Sequence, residues 1–304
     1  LSLCDGTHTE MDIIDSVAKH YSISKKEIRE DVKKFIKKQI DDKNIKEFTV
    51  AQKLTVDKRG YENIILPYQL AFEVTNDCQL RCKHCYNEAG MKRKGELESE
   101  EIIDIMRQFK YLGGTSVLLT GGEVFLKNGI ENILKYACSN FFRIVILSNG
   151  YSISEEIFQI LEKNKEKIAI QISIDGMKEN HDYIRGVSGA FEKTIGNVKR
   201  LISNEIAVSI GFTLNDINER DLKSVVEYSK ELGCSSINIG AVSKIGRAVY
   251  NNISSDNSID RFEVLLNEMR TLYEDEEFKV GRSEEDLQEE KKEPVNKFPN
   301  TCGA

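Results

Sequence analysis

The 304-residue sequence predicts an α/β fold in which a parallel sheet of six strands is covered by helices and preceded by a small helical domain. Two helix starts followed by apolar residues at helical spacing lie near the N-terminus. Further along the chain, short β-branched segments alternate with longer amphipathic segments. The predicted strands are apolar on nearly every residue, which is typical of a parallel sheet that is buried on both faces.

Residues 1–50 are predicted to form the helical domain. Thr9 with Asp12 and Ser24 with Glu27 have the spacing of capping boxes. After the second cap, apolar residues recur at intervals of four, three, one and four, which predicts a single buried stripe on one helix. The stripe consists of Ile28, Val32, Phe35, Ile36 and Ile40.

Residues 67–275 are predicted to form the main domain, after a polar linker over residues 51–66. The predicted strands are residues 70–74, 116–119, 143–147, 168–174, 208–213 and 236–240. Each is followed by a longer amphipathic segment, which predicts six βα repeats. The segments 99–112 and 220–232 end at glycines, as helices commonly do.

A cluster of three cysteines follows the first predicted strand. Cys78, Cys82 and Cys85 lie within eight residues, with His84 directly before the last of them. Thiolates are the ligands that iron–sulfur clusters take, and a cubane of four irons needs four ligands. Three cysteines in one loop leave one iron open, which indicates a reactive centre. The alternative is a zinc site of these cysteines and His84, in which two adjacent residues would have to share one tetrahedral ion.

The spacing of three and then two residues between the cysteines, with an aromatic ring before the last, resembles the cluster motif of radical S-adenosylmethionine (SAM) enzymes. Six βα repeats also match the partial, open (β/α)6 barrel of that superfamily. The resemblance implies a 4Fe–4S cluster whose open iron binds SAM. Catalytic groups are then expected at the carboxyl ends of the strands, the edge on which the cysteine loop lies.

The second strand is followed by Gly121, Gly122 and Glu123. This run resembles the Gly-Gly-Glu motif that hydrogen-bonds the SAM amino group. The glycines are expected to let the main chain approach a ligand closely. Val124 stands where many members have proline, which is expected to loosen the turn without removing a functional atom. An ordinary glycine turn is the alternative.

The resemblance implies further SAM contacts after the third and fourth strands. Ser148 and Asn149 lie where family members contact SAM, although a plain turn would have the same residues. Ser173 and Asp175 share one face of the fourth strand and are expected near the ribose. Arg185 is expected to pair with the SAM carboxylate, because a guanidinium matches a carboxylate geometrically. A structural ion pair with a helix carboxylate is the alternative for Arg185.

Composition limits the partners and the compartment. The net charge is −7, which argues against a nucleic-acid partner. We find neither a secretory signal nor an apolar run near the ~20 residues that span a bilayer, so no membrane partner is expected. Seven cysteines, an odd number, favour metal ligation over a disulfide framework. We therefore expect a cytoplasmic protein.

Both ends of the sequence resemble parts of peptide-modifying enzymes and are expected to be truncated. Residues 3–9, 13–15 and 31–35 resemble the helical part of a winged-helix-like recognition element that binds leader peptides by strand addition. Its strands would precede the first residue, and a DNA-binding winged helix is the alternative. Residues 276–304 are predicted to be a linker and the start of a SPASM or twitch extension. Cys302 would there bind an auxiliary 4Fe–4S cluster.

These features predict a radical SAM enzyme that reductively cleaves SAM to a 5′-deoxyadenosyl radical and abstracts hydrogen from a ribosomally made precursor peptide. A thioether or carbon–carbon crosslink is the expected product. The expected partners are the leader and core of the precursor and an electron donor such as flavodoxin or ferredoxin. No catalytic residue is expected beyond the cluster ligands. The alternatives are a superfamily enzyme that modifies a protein side chain or small metabolite, and a non-catalytic zinc- or nucleic-acid-binding module.

Overall fold

The computed structural model describes residues 3–41, 45–53, 67–254 and 259–282. The chain divides into two compact units, residues 1–64 and 65–304. Their cores consist of different sets of residues. The boundary between the units falls within the predicted linker.

The described part of the N-terminal unit contains two helices, α1 (Glu10–Tyr21) and α2 (Lys25–Asp41). The predicted capping box of α1 is confirmed. The main-chain N–H of Asp12 donates to Thr9 Oγ1 at 3.2 Å, and the main-chain N–H of Thr9 donates to the Asp12 carboxylate at 2.8 Å. These two bonds satisfy N–H groups that the first turn of a helix leaves without an intrahelical acceptor.

The second helix of this unit begins at the second predicted cap, where the main-chain N–H of Glu27 donates to Ser24 Oγ at 3.3 Å. The buried core of the unit consists of Ile14, Ala18, Val32 and Ile36. The predicted stripe was wrong in one position, because Phe35 is 47% exposed. Phe35 lies at the edge of the stripe, beside an apolar groove.

Within its described residues, the larger unit is built on a parallel sheet whose seven strands lie in chain order. The strands are β1 Gln69–Glu73, β2 Ser116–Thr120, β3 Arg143–Ser148, β4 Ile168–Ser173, β5 Ala207–Leu214, β6 Ser236–Ala241 and β7 Lys279–Arg282. The six predicted strands are confirmed. Because all strands are parallel, the loops that follow them lie on the same edge of the sheet.

The seventh strand corrects the prediction that the sheet ends with six repeats and that a linker follows residue 275. β7 pairs with β6 in parallel and aligns Gly281 with Asn238. Phe278 and Val280 are buried, while Lys279 between them is exposed. This alternation is short and lies in a charge-dense segment, so the sequence pattern alone did not reveal a strand.

Helices cover the sheet. They are α3 Ser99–Tyr111, α4 Ile130–Asn140, α5 Glu155–Lys163, α6 Lys178–Arg185, α7 Ala190–Ser203, α8 Leu222–Glu231, α9 Arg247–Tyr250 and α10 Ile259–Tyr273. The helices predicted over residues 99–112 and 220–232 correspond to α3 and α8. Among the described helices, none is long and apolar enough to cross a bilayer.

The two faces of the sheet differ in polarity, as β4 illustrates. Ile170 and Ile172 are fully buried in the main core, together with residues from the helices. Gln171 and Ser173 alternate with them and are half-buried on the opposite face. There the Asn238 amide donates to Gln171 Oε1 at 2.9 Å. The polar face and the loops at the carboxyl edge together position the site.

Candidate metal and cofactor site

The cysteine loop, residues 78–85, begins five residues after the end of β1 and is folded back on itself. Cys78 and Cys82 are buried in one small cluster, and Cys85 packs against it. The Arg81 guanidinium lies inside the loop, where it donates to the carbonyl oxygens of Cys78 and Gly90. The structure therefore brings the three predicted cluster ligands together.

Each of the three cysteine sulfurs accepts one N–H group. The pairs are Asn149 Nδ2 to Cys78 Sγ at 3.7 Å, Arg185 Nη1 to Cys82 Sγ at 3.6 Å, and the Ala89 main-chain N–H to Cys85 Sγ at 3.4 Å. Two of these donors, Asn149 and Arg185, were predicted as site residues, although as SAM ligands. N–H groups directed at sulfur favour the thiolate form that binds iron.

Without a metal the buried cysteines are protonated thiols. Burial raises the pKa of the Cys78 thiol to about 11. Burial also raises the pKa of Cys82, although the neighbouring Arg185 guanidinium opposes the shift. Iron binds thiolate, so cluster assembly in this pocket must displace protons.

Arg247, at the start of α9, holds the cysteine loop from the other side. Its Nε donates to the Cys82 carbonyl oxygen at 2.7 Å and its Nη1 to that of Ala89 at 2.8 Å. Its main-chain N–H donates to the Cys85 carbonyl oxygen at 3.0 Å. The sequence analysis did not identify Arg247. Its position in the loop after β6, at the carboxyl edge of the sheet where functional residues are expected, was the signal that could have identified it.

The Gly-Gly-Glu run packs against the main chain that leads into the cysteine loop. The N–H of Gly122 donates to the Thr75 carbonyl oxygen and the N–H of Glu123 to that of Asp77, both at 2.7 Å. A Cβ atom at Gly121 would lie 2.4 Å from the Thr75 oxygen, and one at Gly122 the same distance from the Asp77 oxygen. The close approach that the glycines permit is therefore to protein main chain.

The Glu123 side chain is fully buried and joins the edges of β2 and β3. Its Oε1 accepts from Ser148 Oγ at 2.8 Å and from the Phe125 N–H at 3.2 Å. Its Oε2 accepts from the Asn149 N–H at 2.8 Å. Burial raises the pKa of the Glu123 carboxyl, and these hydrogen bonds oppose the shift. Both carboxylate oxygens are engaged within the protein.

Asp175 and Arg185 form a buried ion pair, with Asp175 Oδ2 and Arg185 Nη2 at 2.7 Å. The same oxygen lies 3.4 Å from His84 Nε2, and Asp175 Oδ1 accepts from the Thr213 N–H at 2.9 Å. Burial alone would raise the pKa of Asp175, but Arg185 and His84 outweigh it and keep that pKa below its usual value. Arg185 pairs with a carboxylate that follows a strand, not with a helix carboxylate. Ser173 is half-buried two residues before Asp175.

Four buried polar atoms in this network lack a hydrogen-bond partner within the described part of the chain. They are Arg185 Nε, His84 Nδ1, His181 Nε2 and Asp175 Oδ2. Burial lowers the pKa of His84, although the neighbouring Asp175 carboxylate opposes the shift. A guanidinium N–H of this kind suits a ligand carboxylate. The residues at the cysteine loop therefore fit a bound group with hydrogen-bond acceptors.

A single metal ion does not fit the arrangement. Among the residues that the structure describes, no three His, Cys, Asp or Glu side chains are placed to hold one ion. A cubane of four irons is larger than an ion, so its ligands stand further apart. Three thiols that each accept an N–H group fit it. Cys302, the predicted auxiliary ligand, lies outside the described residues.

A family model for the radical SAM superfamily matches residues 72–229, which is about half of the chain. The chain belongs to the radical SAM superfamily. The matched radical SAM residues include the three cysteines, the Gly-Gly-Glu run and the Asp175–Arg185 pair. Membership confirms the predicted cofactors, a 4Fe–4S cluster and SAM, and the predicted α/β fold.

Two curated relatives are peptide maturation proteins of Bacillus subtilis. The sporulation killing factor maturation protein SkfB is 33% identical over 183 residues, which are 60% of this chain and 44% of SkfB. The antilisterial bacteriocin subtilosin biosynthesis protein AlbA is 28% identical over 198 residues, which are 65% of this chain and 44% of AlbA. The matched part of this chain therefore spans less than half the length of SkfB and of AlbA.

The solved structure of Streptococcus suis SuiB bound to SAM has a similar fold. Its TM-score with this chain is 0.65 at 17% sequence identity, and the match covers 90% of this chain and 61% of SuiB. SuiB has also been solved bound to the precursor peptide SuiA, with a TM-score of 0.63 and 18% identity over 84% of this chain and 62% of that one. At 17% and 18% sequence identity, the similarity to SuiB is evidence for a shared fold alone.

Proposed function

We propose that this protein is a radical SAM enzyme that abstracts hydrogen from a ribosomally made precursor peptide. The observation that carries the proposal is the set of three cysteine sulfurs, two of them from buried residues and each with an N–H donor, at the carboxyl edge of an open parallel sheet. A bound 4Fe–4S cluster with SAM supplies the electron and the 5′-deoxyadenosyl radical for such chemistry. The protein binds and orients these groups.

The side chains around the loop have distinct tasks in this proposal. Cys78, Cys82 and Cys85 hold three irons. Arg185 offers its unpartnered Nε–H to the SAM carboxylate. Glu123 fixes the turn after β2, so that the main chain at Gly122 can contact the amino group of SAM. Because these groups are buried and held by hydrogen bonds, little reorganisation is needed when the cofactor binds.

The remaining predicted ligands fit the same site. Ser173 is half-buried on the polar face of β4, beside the Asp175–Arg185 pair. A hydroxyl at this place suits a ribose hydroxyl. Ser148 and Asn149 act through Glu123 and Cys78, to which they are hydrogen-bonded.

A peptide substrate is supported by the relatives and by the N-terminal unit. SkfB and AlbA are named for peptide maturation, and SuiB has been solved with its precursor peptide. The two helices of the N-terminal unit border an apolar groove of about 610 Å³ that includes Ile13, Val17 and Phe35. This groove suits the apolar side chains of a leader peptide. A thioether or carbon–carbon crosslink in the core peptide is the expected product, with flavodoxin or ferredoxin as electron donor.

The SAM-cleavage part of the proposal is tested in purified protein. The wild-type chain is reconstituted anaerobically with iron and sulfide and incubated with SAM and dithionite. We expect 5′-deoxyadenosine by chromatography and mass spectrometry, and none from Cys82→Ala. Cys234→Ala is the matched control, because Cys234 is equally buried but belongs to the main core. Wild-type protein with a complete cluster but no 5′-deoxyadenosine would contradict the proposal.

The substrate is tested by coexpression of the enzyme with each short peptide gene that a search of its genomic neighbourhood identifies. Each crosslink removes two hydrogens from the peptide, so mass spectrometry detects it directly. The peptide mass is expected to fall with the wild-type enzyme and to stay unchanged with Cys82→Ala. SAM cleavage without any change in peptide mass would favour a small metabolite or a protein side chain as the substrate.

A further inference from the structure

The three N–H groups that face the cysteine sulfurs differ in charge. The donors to Cys78 and Cys85 are an amide side chain and a main-chain N–H, both neutral. The donor to Cys82 is the guanidinium of Arg185, which is permanently charged. One cluster ligand is thus exposed to a formal positive charge, and that charge lies against the Asp175 carboxylate.

We propose that Arg185 sets the reduction potential of the cluster through Cys82, and that Asp175 is a positioning residue that holds and offsets this charge and is not a ribose ligand. This inference rests on the proposed function, because it requires a 4Fe–4S cluster on the three cysteines. It assigns Asp175 a different role from the one that the family resemblance implied.

Both oxygens of the Asp175 carboxylate are directed at protein groups, although Oδ2 lies in an ion pair and completes no hydrogen bond. Oδ1 accepts from the Thr213 N–H, and Oδ2 faces both Arg185 and His84. The residue is fully buried. Its main chain is also fixed, since its N–H donates to His181 Nδ1 at 3.2 Å. A carboxylate anchored in this way holds a guanidinium in a single orientation.

Arg185 is fixed to the cysteine loop by its main chain as well. The carbonyl oxygen of Arg185 accepts from the Arg81 N–H at 3.1 Å, and that of Ile184 accepts from the Lys83 N–H at 2.7 Å. These two bonds join the end of α6 to the residues on both sides of Cys82. The distance of 3.6 Å from Nη1 to Cys82 Sγ is therefore set by the fold.

The electrostatic consequence follows from the sign of the charges. Reduction adds an electron to the cluster, so a nearby positive charge and an N–H···S bond favour the reduced state. A nearby negative charge disfavours it. Since the pair is buried, water screens these charges weakly. Removing either member of the pair should therefore shift the potential, and the two shifts should have opposite signs.

The experiment measures the reduction potential of the reconstituted, full chain by electron paramagnetic resonance at poised potentials, in the absence of SAM. Arg185→Gln leaves the Asp175 carboxylate unpaired and is expected to shift the potential to a more negative value. Asp175→Asn leaves the guanidinium without its counter-charge and is expected to shift it to a more positive value. The double variant should lie between the two. Lys178→Gln, which removes an exposed ion pair with Glu192, should equal wild type.

The outcomes separate this inference from the proposed function. A wild-type chain that assembles no 4Fe–4S cluster, by iron and sulfide content, would overturn the proposed function. An intact cluster whose potential is unchanged in Arg185→Gln, or shifts in the same direction in both variants, would overturn the inference alone. An Asp175→Asn variant that binds SAM more weakly while its potential equals that of wild type would assign Asp175 to SAM binding and overturn the inference. Should Arg185→Gln not assemble a cluster, the sign of the Asp175→Asn shift decides the inference.

Discussion

Gly246 lies directly against the main chain of Tyr86, at the end of the cysteine loop. A Cβ atom at Gly246 would lie 2.4 Å from the Tyr86 carbonyl oxygen and 2.5 Å from that of Cys85. The φ angle of Gly246 is +55°, a conformation that side chains disfavour. The loop after β6 can therefore approach the cluster ligands only because this residue has no side chain.

Gly246→Ala is expected to destabilise the main domain by about 2 to 4 kcal/mol, from the backbone conformation and the steric overlap combined. The same change should lower the iron content per chain after reconstitution. Gly196→Ala is the control, because a Cβ there meets no atom within 4 Å and alanine favours a helix interior. Denaturant unfolding and iron analysis measure both effects. Equal stability of the two variants would contradict the packing argument.

Arg247→Ala removes two hydrogen bonds from a charged group to carbonyl oxygens of the cysteine loop. We expect a loss of about 2 to 3 kcal/mol in the free energy of unfolding and faster release of iron to a chelator. Arg247→Lys should recover part of the loss. Arg107→Ala, which removes an exposed ion pair within α3, should cost less than about 1 kcal/mol and leave iron release unchanged.

Glu123→Gln tests the link between the edges of β2 and β3. A glutamine can accept at one position only, so its NH₂ group would face one of the three donors that Glu123 satisfies. A loss of about 1 to 3 kcal/mol in stability is expected, together with weaker SAM binding. Glu227→Gln on the exposed face of α8 is the control and should leave both quantities unchanged. Unaltered SAM affinity and stability in Glu123→Gln would count against this link.

His181 is expected to make the main domain less stable in mild acid. Burial lowers the pKa of His181 from 6.5 to about 4. The unfolded chain therefore binds a proton between pH 6.5 and pH 4 that the folded chain excludes, and stability falls as the pH falls through this window. The full effect is roughly 3 kcal/mol.

Urea unfolding at a series of pH values measures this dependence. His181→Gln, which keeps an acceptor for the Asp175 N–H, should show a smaller loss of stability between pH 6.5 and pH 4 than wild type. Replacement of the exposed His20 should leave the wild-type dependence unchanged. Identical pH profiles of wild type and His181→Gln would show that other groups cause the acid sensitivity.

The sequence predicted six strands to within one residue at each end, because apolar β-branched runs and glycine-terminated helices are strong local signals. β7 was missed, because its four residues carry only a short alternation within a charged segment. The three cysteines were found because their spacing is local. The position after the second strand, together with the family resemblance, then led to Glu123, and the resemblance alone led to Arg185.

The contacts of these residues could not be predicted in the same way. The Arg247 side chain bonds a carbonyl group 165 positions earlier, and the Asn149 amide reaches a sulfur 71 positions earlier. Such pairs arise from the packing of loops that follow different strands. The sequence places the loops on one edge but contains no periodic signal for their mutual contacts. For the same reason the partner of Arg185 within the protein was not foreseen.

The bond between Arg247 and the cysteine loop has a consequence for biogenesis. During synthesis the three cysteines leave the ribosome long before Arg247, which holds their loop. They also leave it before Asn149 and Arg185, whose N–H groups face two of the sulfurs. A nascent chain with only the first half of the sheet would present loosely held, oxidisable thiols. We therefore expect iron and sulfide to be inserted into the completed domain, after α9 has been translated.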